Sequence, residues 1–277
     1  MIKREDIRIR DPYILTDREQ GCYYMYGTTS CLDGSLRTSH SFSVYRTEDL
    51  ENFSEPKVIF DGEKIGFWAT EDYWAPEVHI YNGKYYLLGS FKSPDRRRAT
   101  QILVSDTPDG EFLPISDMPA TPADWECLDG TLFVEDGIPY VVFCHEWVQV
   151  GDGEIWAQAM TEDLRAPVGE PFLLFRATDN QGVSCLKGRE GCFVTDGPFL
   201  WREGGRIRMI WSSFFEGRYL VLHAESDTLR GCWKHSGSLF DFDGGHAMIF
   251  HTLEGKRMIS LHRPNRPNTE RPYFCEF

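Results

Sequence analysis

Three aspartates occupy the same kind of junction in this chain. Asp11 stands in Arg10-Asp11-Pro12-Tyr13-Ile14-Leu15, Asp129 in Cys127-Leu128-Asp129-Gly130-Thr131-Leu132, and Asp196 in Thr195-Asp196-Gly197-Pro198-Phe199-Leu200. Each precedes a Gly or Pro and then an apolar run. Glu77 in Trp74-Ala75-Pro76-Glu77-Val78-His79 is a close variant, with the acid after the proline. A carboxyl at the entry to a buried strand is held by backbone. Carboxyls in pairs cut glycosidic bonds: one stays charged and activates water, the other is protonated and hands its proton to the leaving oxygen. A third acid nearby raises the pKa of the second, because like charges in a poorly solvated pocket resist joint ionisation. With base and acid about 6.5–9.5 Å apart, water fits between them and the product is inverted.

That chemistry requires acids far apart in sequence to meet. The chain is a succession of short runs rich in Tyr, Phe, Val, Ile and Trp, separated by turns such as Asn82-Gly83, Asp136-Gly137 and Gly204-Gly205. These are strand signals. No long window holds a 3.6-residue apolar period; Met160–Pro167 is expected to form one helical turn at most. The units resemble one another, and their markers Asp11, Glu77, Asp129, Asp196 and His246 lie 66, 52, 67 and 50 residues apart. Several strands per unit at this spacing is the period of propeller blades. The expected fold is all-β, a five-bladed β-propeller formed by residues 1–277 as one domain. First strands of blades line the central channel, so the five markers converge on one axial pocket. Trp74, Trp125, Trp147 and Phe214 lie near the same strand ends, where aromatic rings can pack on a sugar face.

At these residues the sequence resembles glycoside hydrolase family 43, a family of five-bladed propellers. Arg10-Asp11-Pro12-Tyr13-Ile14-Leu15 resembles the first-blade motif, and the resemblance implies Asp11 as general base. Trp74-Ala75-Pro76-Glu77-Val78 resembles the second-blade Trp-Ala-Pro-Asp motif. The segment around Asp129 resembles the third-blade Ile-Asp-Pro segment, implying Asp129 as the residue that tunes and orients the acid. Asp196 falls where the family has Glu before Gly-Pro or Ala-Pro, implying Asp196 as general acid. Gly244-Gly245-His246 resembles the fifth-blade Gly-His segment, whose histidine lies on the axis and in several members helps hold a calcium ion, often through water. A calcium ion at His246 is therefore an expected, though not required, cofactor. Two departures stand out: Asp196 is one methylene shorter than the expected Glu and Glu77 one longer than the expected Asp. Either the backbone brings Asp196 inward, or Glu77 shares the proton transfer; the first is the expectation here.

Composition narrows the partners. The net charge is -14, with 29 basic and 43 acidic residues. Nucleic acid and anionic membrane surfaces need clustered Lys and Arg, so neither is expected as a partner. The run Arg96-Arg97-Arg98 is expected to be a solvated loop. The eight cysteines are scattered without a Cys-x-x-Cys pair, which disfavours zinc. They are read as reduced thiols. The N-terminus has no apolar secretory core, and a cytoplasmic enzyme acting on imported oligosaccharides is expected. Oligomeric state is unreadable. No Gly-x-Ser-x-Gly elbow, phosphate loop or His-Glu-x-x-His motif is present.

Each residue also has a plainer reading. Asp before Pro or Gly is common in turns. Glu77 also suits a solvent-facing strand position, and His246 or His145 a hydrogen-bonded core. His79 shares Glu77's strand face by alternation; Trp74 suits packing as well as stacking. The pattern taken together points to an inverting exo-glycosidase on plant-derived oligosaccharides. The substrate-binding candidates are Glu77, Trp74, His79, His145 and Phe214. The resemblance implies α-L-arabinofuranosidase first and β-xylosidase second, with β-galactosidase chemistry within the family's range. The rivals are a glycoside phosphorylase, for which Arg189 and Arg218 are the candidate phosphate ligands, and a sugar-binding propeller without catalysis.

Overall fold

The computed structural model describes residues 1–29 and 40–277; Cys31 lies outside them. Strands follow one another as antiparallel neighbours in five separate sheets. Blade 1 contains Ile2–Lys3, Arg10–Asp17, Cys22–Thr28, Ser41–Thr47, Asn52–Phe53 and Lys57–Asp61. Blade 2 is Glu71–Tyr81, Lys84–Ser93, Arg96–Ser105 and Leu113–Pro114. Blade 3 is Cys127–Glu135, Ile138–His145, Glu154–Ala159 and Phe172–Arg176. Blade 4 is Asp196–Glu203, Arg206–Phe215, Arg218–Ser226 and Lys234–Ser238. Blade 5 is Gly245–His251, Arg257–Arg263 and Arg271–Glu276. Each blade packs on the next and blade 5 packs on blade 1, which closes a five-bladed β-propeller.

Local chemistry explains the meander. At Asn82-Gly83 and Asp136-Gly137 both turn residues have positive φ, 47° and 76° in the first and 50° and 80° in the second. Two such residues make the hairpin turn whose twist matches the flanking strands. Inner strands are covered on both faces by neighbouring blades, so Cys22–Thr28 is buried throughout. Blade 1 meets blade 2 through Phe42, Phe60, Tyr73 and Phe91, with Phe42 and Phe91 centroids 5.4 Å apart. Blades 3 and 4 share a core around Trp211 and Phe175.

Two local expectations change. Arg96–Arg98 is the start of a strand rather than a loop, and Arg98 is buried. Thr161–Ala166 is a turn, closed by the Thr161 N–H donating to the Ala166 carbonyl at 2.8 Å, with no helix. The helices among the described residues are single turns such as Gly62–Ile65 and Trp147–Val150.

Every first strand is interrupted in the same way. The register with the second strand slips after Arg10, Trp74, Leu128, Asp196 and Gly245. The next residue has positive φ in all five blades: Asp11 55°, Ala75 46°, Asp129 55°, Gly197 50° and His246 51°. A bulge re-aims side chains and sharpens twist. Four of these residues are not glycine, a backbone state that costs roughly 1–3 kcal/mol each. Inter-blade hydrogen bonds offset it. The Ala75, Asp129 and His246 N–H groups donate to Thr28 Oγ1, Ser90 Oγ and Ser212 Oγ at 2.7, 2.9 and 2.8 Å. The Asp11 N–H reaches His262 Nδ1 at 3.3 Å.

The repeat also corrects the blade markers. The equivalent of Asp11, Asp129 and His246 in blade 2 is Ala75 rather than Glu77, and in blade 4 it is Gly197, one residue past Asp196. Two residues along a strand return to the same face about 6.6 Å farther on. Here the register slips between Trp74 and Glu77, so that alternation does not carry across, and Glu77 lies two residues past the bulge.

Candidate active site

The bulges build a cavity of about 330 Å³ around the axis. Two layers of residues line it. Asp11, Asp129 and His246, at the bulges, are 8%, 7% and 8% exposed. Arg10, Trp74, Leu128 and Asp196, each one residue before a bulge, form the second layer. Tyr219, Phe214, Glu146, Trp147, Leu186 and Asn265, with Thr28 and Val194, complete the lining.

Asp11 is held as a carboxylate. Burial opposes its charge, but the His246 imidazolium and the Arg10 guanidinium together hold its pKa far below the usual carboxylate range. Its Oδ1 lies 3.2 Å from His246 Nδ1, and its Oδ2 accepts from Thr28 Oγ1 at 2.7 Å. His246 is driven the other way: burial disfavours its charge, yet Asp11, Asp129, Glu77 and Asp196 raise its pKa above the usual imidazole value. His262 is pushed down by burial and by Arg10. A neutral ring places an unprotonated Nδ1 at the Asp11 N–H and leaves Nε2–H to donate to Asn265 Oδ1 at 3.3 Å. The close approach of the same Nδ1 to Asp11 Oδ1, 3.3 Å, is then a proximity and not a second hydrogen bond. Arg10 donates to Glu270 Oε1 and Asn265 Oδ1 at 2.9 and 3.0 Å, which fixes its charge beside Asp11.

Asp129 and Asp196 form a coupled pair. Burial raises both. Asp129 is further raised by Asp11, but the His246 charge and the Gly197 N–H, donating to its Oδ2 at 2.9 Å, favour its ionised form. Asp196 is raised by the charge of Asp129 and reaches about 7 despite the Tyr219 hydroxyl, which donates to its Oδ2 at 2.9 Å. Asp129 is thus raised to about 6 and Asp196 further, so Asp196 is the more readily protonated of the two. The backbone places this shorter acid directly in the cavity wall. Only glycine fits at 197, because a Cβ there would lie 2.7 Å from two carbons of the His246 ring.

Trp74 and Phe214 line the cavity as expected from the sequence. Glu77, His79 and His145 do not. Glu77 is buried and pairs with His79, Oε2 to Nε2, at 3.0 Å. His145 stacks on Trp125 with ring centroids 4.3 Å apart and contacts Glu154 and Gln149, so it belongs to the core of blade 3. Its neighbour Glu146 faces the cavity instead, and burial first of all lifts its carboxyl to about 7, against the pull of Arg98. Arg98 joins Glu146 to Asp72 and covers the face of Trp74, 4.4 Å from the ring centroid. The sequence contained a signal for Arg10, adjacent to Asp11. It held none for Tyr219 and Asn265, which arrive from other strands and loops.

The donor set around His246 does not fit a directly bound calcium ion. Calcium takes six to eight oxygen ligands. Here Nδ1 of His246 is occupied by carboxylates, and no cluster of three or more His, Cys, Asp or Glu suited to a metal occurs among the described residues. No helix among them is long and apolar enough to cross a membrane. The seven described cysteines are free thiols.

Residues 6–275 match the family model "Glycosyl hydrolases family 43". Among solved structures, an endo-arabinase from Bacteroides thetaiotaomicron superposes with a TM-score of 0.90 and 38% identity, covering 100% of this chain and 96% of that one. An extracellular endo-alpha-(1->5)-L-arabinanase from Bacillus subtilis is 22% identical over 89% of this chain and 80% of its own length. A xylosidase/arabinosidase from Humicola insolens is 28% identical over 39% of this chain, a match that spans 32% of that protein. Five blades, three converging aspartates and a match along nearly the whole chain agree: the chain belongs to glycosyl hydrolase family 43, a family of inverting glycoside hydrolases.

Proposed function

We propose that the protein hydrolyses α-L-arabinofuranosidic bonds in arabinan-type oligosaccharides and releases the terminal residue. The catalytic reading rests on one observation: Asp11, set against His246, and Asp196, set against the Tyr219 hydroxyl, line one cavity whose surroundings push their pKa values apart, Asp11 down and Asp196 up to about 7. Asp11 takes a proton from water as the water oxygen bonds to the anomeric carbon. The bond from that carbon to the leaving oxygen breaks, and Asp196 gives its proton to that oxygen. Asp129, kept charged by His246 and the Gly197 N–H, discourages Asp196 from ionising early.

The sugar is argued from likeness to the arabinan-active relatives, the terminal position from a cavity of about 330 Å³, at the small end of ligand pockets. Internal cleavage is the second reading, favoured by the endo-acting names of the same relatives. A phosphorylase is disfavoured. Arg189 and Arg218 do not line the cavity; Arg189 covers Trp147 at 5.5 Å and Arg218 bonds the Asp241 carbonyl.

The test is digestion of linear α-1,5-arabino-oligosaccharides followed by proton NMR and product sizing. Arabinose alone, released first as the inverted anomer, is the expected result. Mixed shorter oligosaccharides would favour the internal mode, and activity only on aryl β-D-xylosides would move the substrate to xylans. Binding without turnover would revive the non-catalytic propeller, and retained configuration would overturn the roles of Asp11 and Asp196.

A further inference from the structure

The inter-blade hydrogen bonds contain one exception. Thr28, Ser90, Ser212 and His262 occupy the same place in the second strands of blades 1, 2, 4 and 5, opposite the residue that precedes each bulge. Each accepts the bulge N–H of the next blade, at 2.7, 2.9, 2.8 and 3.3 Å. In blade 3 this place, opposite Leu128, is held by Cys144, which is fully buried. A thiol is a weak acceptor. The bulge N–H of the next blade, blade 4, belongs to Gly197, and that N–H donates to the Asp129 carboxylate at 2.9 Å.

We propose that Cys144 is a positioning residue for the acid pair: by withholding the oxygen or nitrogen acceptor present in the other four blades, it leaves the Gly197 N–H to Asp129. The bond ties Asp129 to the residue that follows Asp196, so the two carboxyls are held side by side. The propeller's own repeat therefore supplies the built-in alternative. A serine at 144 would accept the Gly197 N–H as Ser90 and Ser212 accept theirs, and Asp129 would lose a donor. The catalytic meaning of this contact rests on Asp196 being the acid; the contact itself does not.

The sign of the effect follows. Without the Gly197 N–H, Asp129 binds protons more readily. A neutral Asp129 no longer repels charge on Asp196, so Asp196 loses its proton at lower pH. Cys144→Ser should move the alkaline limb of kcat/KM to lower pH. Cys144→Ala offers no acceptor, so Gly197 stays with Asp129 and the limb stays in place. A packing role alone predicts the reverse ranking, since alanine removes more of the side chain than serine does.

The experiment is a pH titration of the Gly197 amide in ¹H–¹⁵N spectra of the wild type and of Cys144→Ser, Cys144→Ala and Asp129→Asn. The wild-type amide is expected to follow the ionisation of the acid pair. Its excursion should persist in Cys144→Ala, and should fall by at least half in Cys144→Ser and in Asp129→Asn. Equal behaviour of the serine and alanine variants overturns the proposal. Where the serine variant does not fold, an excursion absent from the wild type, or unchanged in Asp129→Asn, overturns it as well. The amide shift does not depend on turnover, so inactivity of the protein on arabinosides leaves this result interpretable.

Discussion

The Tyr219 hydroxyl donates to Asp196 Oδ2 at 2.9 Å, and the same ring lies 5.8 Å from His262 in a stacked arrangement, 18° from parallel. One tyrosine thus touches Asp196 and the imidazole that receives the backbone N–H of Asp11. The hydroxyl favours the ionised form of Asp196, against burial and the charge of Asp129. Tyr219→Phe should therefore raise the pKa of Asp196 and move the alkaline limb of the pH–rate profile upward. The expected loss in kcat is about tenfold, within the range a single hydrogen bond to a charged group supplies. A limb that moves down, or does not move, would remove Tyr219 from the control of the acid.

Replacing the two reacting carboxyls should give different signatures. General acid or base groups contribute about 10²–10⁴-fold. Asp11→Asn should lose that much on every substrate. Asp196→Asn should lose as much on oligosaccharides but far less on aryl glycosides whose leaving group needs no proton. Rates across a series of leaving groups measure the difference; parallel losses in both variants would dismiss Asp196 as proton donor.

Glu77→Gln tests the other acid of the motif. Glu77 is outside the cavity lining and paired with His79. Its loss should change kcat by less than about tenfold on a poor leaving group, below the usual contribution of a proton donor. A loss equal to that of Asp196→Asn would make Glu77 the donor.

The acid also costs stability. A carboxyl whose folded pKa is raised above its unfolded value binds protons on folding. Its favourable contribution is present below the unfolded pKa and is lost as pH rises through the folded value. For Asp196 that window runs from about 4 to about 7. Asp196→Asn should therefore raise the melting temperature at pH 7 and above, by several degrees for a gain on the order of 1–2 kcal/mol, and have little effect at pH 4. Thermal melts across that range check the slope. Asp11, with a depressed value, contributes in the opposite sense, and its stabilisation persists down to strongly acidic pH.

Among the described residues, Arg98 is the one cation shared by the buried carboxyls of Asp72 and Glu146. Arg98→Ala leaves both without it and uncovers Trp74. Breaking a buried ion pair costs roughly 3–5 kcal/mol. Chemical denaturation should show a loss of that size, larger at pH 8 than at pH 5, because Glu146 becomes neutral at the lower pH.

Strand-forming runs, hairpin turns and the blade period were legible in the sequence because each is a local property. Asp11, Asp129 and His246 were legible as markers facing one axial pocket because each sits beside a Gly or Pro at a recurring junction. The level of each residue was not. Glu77 and Ala75 are two residues apart, and strand periodicity alone cannot say which of the two stands at the bulge. His145 and Glu146 were a similar choice between neighbours, decided by a stack on Trp125 that forms only when blade 3 folds. Tyr219 and Asn265 enter from segments with no acid or repeated motif to mark them.

The five blades are each built from consecutive strands, so the ring closes where blade 5 meets blade 1 by side-chain contacts: Ser260 to the Pro12 carbonyl, Thr16 to the His251 carbonyl, and Arg10 to Glu270. Asp11 stands on one side of that seam, and His246 and His262 on the other. The surroundings of Asp11 are thus assembled across the junction that joins residues some 250 positions apart. A seam that parts by a few ångströms would strip Asp11 of both imidazoles while every blade kept its hydrogen bonds. Catalytic activity in this protein is therefore a gauge of ring closure, able to fall while the strand content measured by spectroscopy stays whole.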